Sequence, residues 1–166
     1  MTRSGPTPTT RTDEGLEQQP VPVRARLAAA WTSFMFLYIY VDYLNLYVPG
    51  VMSDIQNGVV WKLDISQAFV VSALALVAIP IVMVALSTTL PARANRVANI
   101  VVASIYVPVS LFNLVDESWT VFFGLGAALE VILLLSIIRT AWRWPRTHAG
   151  AIDAATVDRL RQPAHA

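Results

Sequence analysis

Four apolar stretches, separated by short polar segments, dominate this sequence. They cover about residues 27–48, 67–90, 97–115 and 119–141. Each is close to the roughly 20 residues that a helix needs to cross a hydrocarbon core of about 30 Å. Only 14% of the residues are charged, against about a quarter in a soluble domain. Because short connections make successive helices antiparallel neighbours, the sequence predicts an all-α integral membrane four-helix bundle with up-down-up-down topology.

Turn-forming residues mark the ends of the first and second spans. Pro49-Gly50 ends the first, because proline disfavours helix at the preceding residue and glycine lets the backbone turn. The connection that follows is half apolar and is expected to lie on the membrane surface, with Asn57-Gly58 as a helix C-cap or a turn. Ser66 is the expected N-cap of the second span.

The arginines predict the orientation of the bundle. All eleven lie in the N-terminal tail, the connection between the second and third spans, and the C-terminal tail, whereas the opposite side carries only Lys62. Basic residues near span ends favour the cytoplasmic side, so both termini are expected to be cytoplasmic, with the protein in the cell (inner or plasma) membrane. Residues 1–26 are then a disordered tail, 27–144 the transmembrane domain and 145–166 a flexible tail.

Asp42 and Glu130 are the only acids inside the predicted spans, where no basic side chain lies at mid-span to neutralise them. A carboxylate is costly in hydrocarbon, and a protonated acid can donate a hydrogen bond. At about 1.5 Å per residue, Glu130 falls near the middle of the membrane, with Tyr38 and Ser104 at a similar depth. Pro80 frees a carbonyl near this level, and either Glu130 or the Tyr38 hydroxyl is expected to satisfy it.

A second polar cluster is predicted nearer the outer face. It combines Asp42 with Asn45 one helical turn on and Asn113 of the third span. The small residues Gly126 and Ala127 share a helix face with Glu130. Their size would let a partner helix approach this face closely, and Glu130 would then point inward.

Two interpretations of these polar side chains stay open. They either hold the helices together inside lipid, where the hydrophobic effect cannot, or they form a proton-bearing site or a small-ligand pocket that opens outward.

The densest polar group near the inner face is the loop set Arg93, Asn95, Arg96 and Asn99. Its expected roles are topology for the arginines, and N-capping and loop-tying for the asparagines. The alternative is recognition of an anionic headgroup or a partner at the cytoplasmic surface.

The residue inventory excludes several kinds of chemistry. The chain has no cysteine, and its histidines, His148 and His165, both lie in the C-terminal tail, so no cofactor and no metal site is expected within the bundle. No hydrolase, kinase or metalloprotease motif occurs, which argues against an enzyme. A net charge of +1 gives no field that would attract nucleic acid.

These features predict a non-enzymatic membrane protein, namely a structural, accessory or small-ligand-binding bundle. The alternative is a minimal proton-coupled carrier or channel that uses Glu130 and Asp42. The lipid bilayer is the expected surrounding. A homo-oligomer or another membrane partner is considered because four helices enclose little volume.

Five segments resemble a family of uncharacterised bacterial four-span membrane proteins, the domain of unknown function 6326. They are Arg93–Ile100, Ile79–Ser87, Tyr40–Tyr43, Pro49-Gly50 and Ala141–Trp144. The resemblance covers roughly residues 30–144 and implies an architecture but no activity. Val97 stands where the family pattern has an aromatic residue, and Thr88 where it has an arginine, which argues against a dense basic patch.

Overall fold

The computed structural model describes residues 21–114 and 119–145, and its framework is a set of four long helices. These are α1 (Val23–Asn45), α3 (Gln67–Thr89), α4 (Ala92–Phe112) and α5 (Thr120–Trp142). All four are long and apolar enough to cross a membrane, which confirms the predicted helical fold. The predicted tails lie outside the described residues, apart from residues 21–26 and Pro145. Of these, residues 23–26 form the first turn of α1, so this helix begins within the stretch predicted to be a tail.

The third span begins earlier than expected. The polar segment that follows Pro91 was predicted to be a loop, but helix α4 already begins at Ala92. Alanine and arginine are good helix formers, and the nearest residue that breaks a helix is Pro91 itself. The connection between α3 and α4 is therefore only Leu90 and Pro91, and the loop asparagines belong to the first turns of α4.

A short folded segment connects α1 to α3. It consists of helix α2 (Val51–Gln56) and a hairpin of β1 (Val59–Val60) with β2 (Leu63–Asp64). Asn57 is the C-cap of α2 and Gly58 follows with φ of +81°, which confirms the predicted turn.

The start of α3 also agrees with the sequence. The hydroxyl of Ser66 accepts a hydrogen bond from the Phe69 amide at 3.2 Å, so the predicted N-cap is confirmed.

Successive long helices run in opposite directions. Helix α1 packs against α3 and α5, and α5 packs against α1 and α4, whereas α3 and α4 make sparser contact. We call the end that carries Arg24, Arg96 and Arg139 the arginine end, and the opposite end, with α2 and the hairpin, the loop end.

The hydrophobic core is concentrated toward the arginine end. Its buried members are Leu27, Trp31, Phe34, Met35, Met83, Ala103, Tyr106, Leu134, Ile137 and Ala141. The Phe34 ring meets the rings of Trp31 and Tyr106 edge to face, each at 5.9 Å between centroids. Large apolar side chains also cover the outside of the bundle, as expected where lipid is the surrounding solvent.

A close contact joins α1 to α5 nearer the loop end. Gly126 is buried there, and a methyl group added at its Cα would lie 2.9 Å from Val41 Cγ2. The close approach predicted from Gly126 and Ala127 is therefore present, with α1 as the partner helix.

Candidate functional site

The polar side chains within the bundle form two groups. The arginine-end cluster comprises Trp31, Ser87, Asn95 and Asn99. The acid cluster comprises Tyr38, Asp42, Ser110, Asn113 and Glu130.

The arginine-end cluster is a buried hydrogen-bond network centred on Asn99. Asn99 Oδ1 accepts from Trp31 Nε1 at 2.7 Å and from Ser87 Oγ at 3.3 Å, so the residue joins α4 to both α1 and α3. Asn99 Nδ2 donates to the backbone oxygen of Asn95 at 2.8 Å and to its Oδ1 at 2.6 Å. Asn95 Nδ2 in turn donates to the Ser87 carbonyl at 2.6 Å. All three polar residues, Ser87, Asn95 and Asn99, are fully buried.

This network corrects the role predicted for the asparagines. The N-cap of α4 is Pro91, and no side chain caps the helix, so N-capping by an asparagine is wrong. The expected contact with the preceding segment is present, because the Asn95 side chain donates a hydrogen bond to the backbone carbonyl of Ser87 near the end of α3. Since Asn95 and Asn99 are four residues apart in helix α4, they share one face, and that face points into the bundle.

The arginines of the same loop set lie apart from the asparagines. Arg93 is exposed, and the Arg96 guanidinium lies over the Trp142 ring at 5.5 Å from its centroid. From α1, Arg24 Nη1 donates to the Thr88 carbonyl at 2.9 Å. These contacts leave the basic side chains at the surface of the arginine end.

The acid cluster joins α1, α4 and α5. Glu130 is only 2% exposed, and neither its Oε2 nor Ser110 Oγ has a hydrogen-bond partner within the described part of the chain, although the two side chains are neighbours. Tyr38 interacts with the Asn113 side chain and lies in the electrostatic field of both Asp42 and Glu130. Tyr38 and Asn113, which the sequence assigned to different polar layers, therefore interact.

Two of the predicted orientations are wrong. Ser104 is exposed, because Ala103, Tyr106 and Ser110 occupy the buried face of α4, and a step of one residue turns a side chain by about 100°. The position of Ser104 in the sequence predicts its depth in the membrane, but that depth does not determine the helix face on which the side chain lies. Asp42, which the sequence predicted for a polar cluster together with Asn45 and Asn113, is likewise exposed, on the side of α1.

The carbonyl freed by Pro80 is satisfied by a residue that the sequence did not single out. Pro80 lies inside α3 and has no N–H for the oxygen of Leu76, one turn earlier. The Tyr106 hydroxyl from α4 donates to that oxygen, where Glu130 or Tyr38 had been expected to do so. The sequence signal that could have identified Tyr106 is its spacing. It lies three residues after Ala103 and four before Ser110, so it shares a helix face with these two small residues.

A cavity of about 560 Å³ occupies the loop end. It lies where α3 and α4 contact each other sparsely, and α2 and the hairpin help to enclose it. Tyr38, Asn45 and Asn113 line it, and they are three of the residues that the sequence predicted for a site. Its other lining residues are Val51, Asp54, Ile55, Val59, Val60, Trp61, Leu63, Phe69, Leu76, Val109 and Phe112.

Asp42 and Glu130 are not part of the cavity lining. They are connected to the cavity through Tyr38, which both lines it and interacts with the two acids. Among residues 21–114 and 119–145, no group of three or more His, Cys, Asp or Glu side chains is placed to hold a metal ion.

These features define a class of protein, a multi-pass membrane bundle with a hydrogen-bonded network at one end and a cavity at the other. Residues 22–150 match the model of a family of unknown function, DUF6326, and the chain belongs to that family. No curated protein and no solved structure matches the chain.

Proposed function

We propose that this protein binds a small molecule in the cavity at its loop end. The observation that carries the proposal is the cavity itself, whose volume of about 560 Å³ lies within the roughly 300–1,000 Å³ of small-molecule sites. Its composition supports the same conclusion. Most of the lining is apolar or aromatic, and Tyr38, Asn45 and Asn113 supply a few polar groups that would fix the orientation of a ligand.

Thermal unfolding of the detergent-solubilised protein tests this proposal against a panel of neutral, cationic and anionic small amphiphiles. A ligand of the cavity will raise the unfolding temperature, because it binds only the folded state. Val109→Trp fills the cavity and is expected to abolish the shift, while Val101→Trp, on the exposed face of the same helix, is the matched control. Equal shifts in both variants, or no shift with any compound, contradict the proposal.

The cavity is proposed to open outside the cell, with the arginine end in the cytoplasm. The distribution of basic residues supports this orientation, since Arg24, Arg96 and Arg139 share one end and Lys62 lies at the other. The same rule supports cytoplasmic locations for both termini, and we propose the plasma membrane as the location of the protein.

Single cysteines test the orientation cleanly, because the chain has none of its own. Ser53→Cys in α2 and Ala92→Cys at the start of α4 both replace exposed residues. A membrane-impermeant maleimide added to intact cells is expected to label Ser53→Cys alone. Labelling of Ala92→Cys alone would show the opposite orientation, and lysed cells provide the control for reactivity.

A second candidate function is a proton-coupled carrier. It is favoured by Glu130, whose Oε2 atom and the neighbouring Ser110 Oγ are buried without hydrogen-bond partners among the described residues. Polar groups are seldom left in this state unless they have a further role. Proteoliposomes with a proton gradient test it: if Glu130→Gln leaves the flux of a cavity ligand unchanged, Glu130 is not an obligatory proton carrier.

A further inference from the structure

We infer that the cavity selects small organic cations with an apolar body, such as aromatic or alkylated ammonium compounds. This inference rests on the proposed function and adds the chemical class of the ligand. Three features of the described residues support it: the sign of the charges around the cavity, the aromatic rings in its wall, and a cation already held against one of those rings.

The charges near the cavity are mostly carboxyl groups. Asp54 lines the cavity directly, and the carboxyl group of Asp42 acts electrostatically on Tyr38, another lining residue. Asp64, in the hairpin, adds another acid at the loop end. Among the described residues of this end, Lys62 is the single basic side chain, because the arginines are at the other end. A cleft lined by charges of one sign concentrates ligands of the opposite sign.

Aromatic rings form a large part of the wall. The lining includes Tyr38, Trp61, Phe69 and Phe112, which come from α1, the hairpin, α3 and α4. Trp61 and Phe112 meet edge to face with their centroids 6.2 Å apart, so the hairpin turn is packed against the end of α4. Ring faces attract cations through the aromatic quadrupole, and quaternary ammonium groups are bound by cages of this composition.

Trp61, one of these lining residues, makes a cation–π contact with Lys62, which does not itself line the cavity. The Lys62 ammonium lies 4.8 Å from the centroid of the Trp61 ring. Trp61 itself has a φ of +54°, in the left-handed region that residues other than glycine rarely adopt. A strained backbone persists only where the surroundings stabilise it. The indole of Trp61, held by this backbone, lies at the cavity wall.

The polar groups of the cavity suit the same ligand. Asn45 and Asn113 offer amide oxygens and Tyr38 a hydroxyl oxygen, which accept hydrogen bonds from a protonated amine or stabilise a quaternary ammonium by their dipoles. An anionic ligand would instead meet the carboxyl group of Asp54 in the lining.

The experiment compares three compounds of nearly the same shape with the full-length protein in detergent. They are 3-hydroxyphenyl-trimethylammonium, its neutral isostere 3-tert-butylphenol, and the anion 3-hydroxybenzenesulfonate. Saturation-transfer NMR on the ligand signals measures each affinity. We expect the cation to bind roughly ten-fold more tightly than the isostere, a difference that corresponds to a moderately desolvated cation–π and charge interaction.

Two variants test whether the carboxyl group in the lining contributes to the preference for the cation. Asp54→Asn removes a carboxyl group from the lining and is expected to reduce the preference for the cation, and Asp64→Asn, which lies outside the lining, is expected to reduce it less. If the isostere or the sulfonate binds the native protein as tightly as the cation, the inference is overturned while the proposed function stands. If none of the three compounds binds and the wider panel gives no ligand, the proposed function itself fails.

Discussion

Replacing Asn99 by leucine tests whether the arginine-end cluster holds the bundle together. Leucine fills the site with a somewhat larger, wholly apolar side chain, so the change removes hydrogen bonds without leaving a void. Asn99 bonds to Trp31, Ser87 and Asn95. The substitution would leave Trp31 Nε1, which has no other hydrogen-bond partner among the described residues, unsatisfied in the core.

The expected loss of stability follows from these contacts. Interhelical hydrogen bonds in a membrane contribute about 0.6 kcal/mol on average and up to about 1.7 kcal/mol. A buried polar group left without a partner costs about 1–3 kcal/mol. The bonds of Asn99 to Trp31 and Asn95 are 2.6–2.8 Å long, and the one to Ser87, at 3.3 Å, is weaker. We therefore expect Asn99→Leu to destabilise the protein by about 2–4 kcal/mol.

Reversible unfolding by sodium dodecyl sulfate in mixed micelles provides the measurement. Ser104→Ala is the matched control, because Ser104 lies on the same helix but is exposed, and its effect is expected to stay within about 0.5 kcal/mol. A double-mutant cycle with Trp31→Phe isolates the indole bond and should give a coupling energy of about 1 kcal/mol. Zero coupling, with Asn99→Leu no less stable than Ser104→Ala, would refute the reasoning.

Two further predictions concern helix contacts. Gly126→Ala places a methyl group 2.9 Å from Val41 Cγ2 and is expected to cost about 1–3 kcal/mol by overpacking, whereas Gly124→Ala meets nothing within 4 Å and should be neutral or stabilising. Val41→Ala in the same chain should restore much of the loss, and an equal effect of the two glycine substitutions in the unfolding assay would contradict the contact. Tyr106→Phe leaves the carbonyl opposite Pro80 without its donor and should cost about 1–2 kcal/mol in the native background. In a Pro80→Ala background the helix supplies that donor itself, so the cost of Tyr106→Phe should fall, and an unchanged cost would show that the hydroxyl acts elsewhere.

The sequence predicts the framework because each span is a local property. A window of apolar residues is enough to predict a helix that can cross the membrane. The helix ends at Ser66 and at Asn57-Gly58 are likewise determined by the residues of a single turn. The start of α4 was missed for the complementary reason. Helix at Ala92 is decided by propensity and by the preceding proline, and hydropathy does not measure either.

The candidate site was predicted less well because it depends on helix rotation. Counting residues gave the depth of Ser104 but not the helix face on which it lies, and it did not single out Ser110, which is on the buried face. The same limitation hid the inward face of Asn95 and Asn99, which looked like loop residues beside two arginines. Tyr38, Asn45 and Asn113 do share a cavity, but its existence depends on the sparse contact between α3 and α4, which no single segment encodes.

The difference between the two ends of the bundle bears on the choice between a binding protein and a carrier. A carrier must open to both sides in turn. At the arginine end this would require Asn99 to separate from Trp31 and Ser87, which breaks buried hydrogen bonds between three helices. At the loop end the cavity is already formed, and helix α2 and the hairpin contribute part of its lining. A buried network at one end and a formed cavity at the other are consistent with a binding protein, whereas a carrier would need a second state in which the Asn99 network is broken.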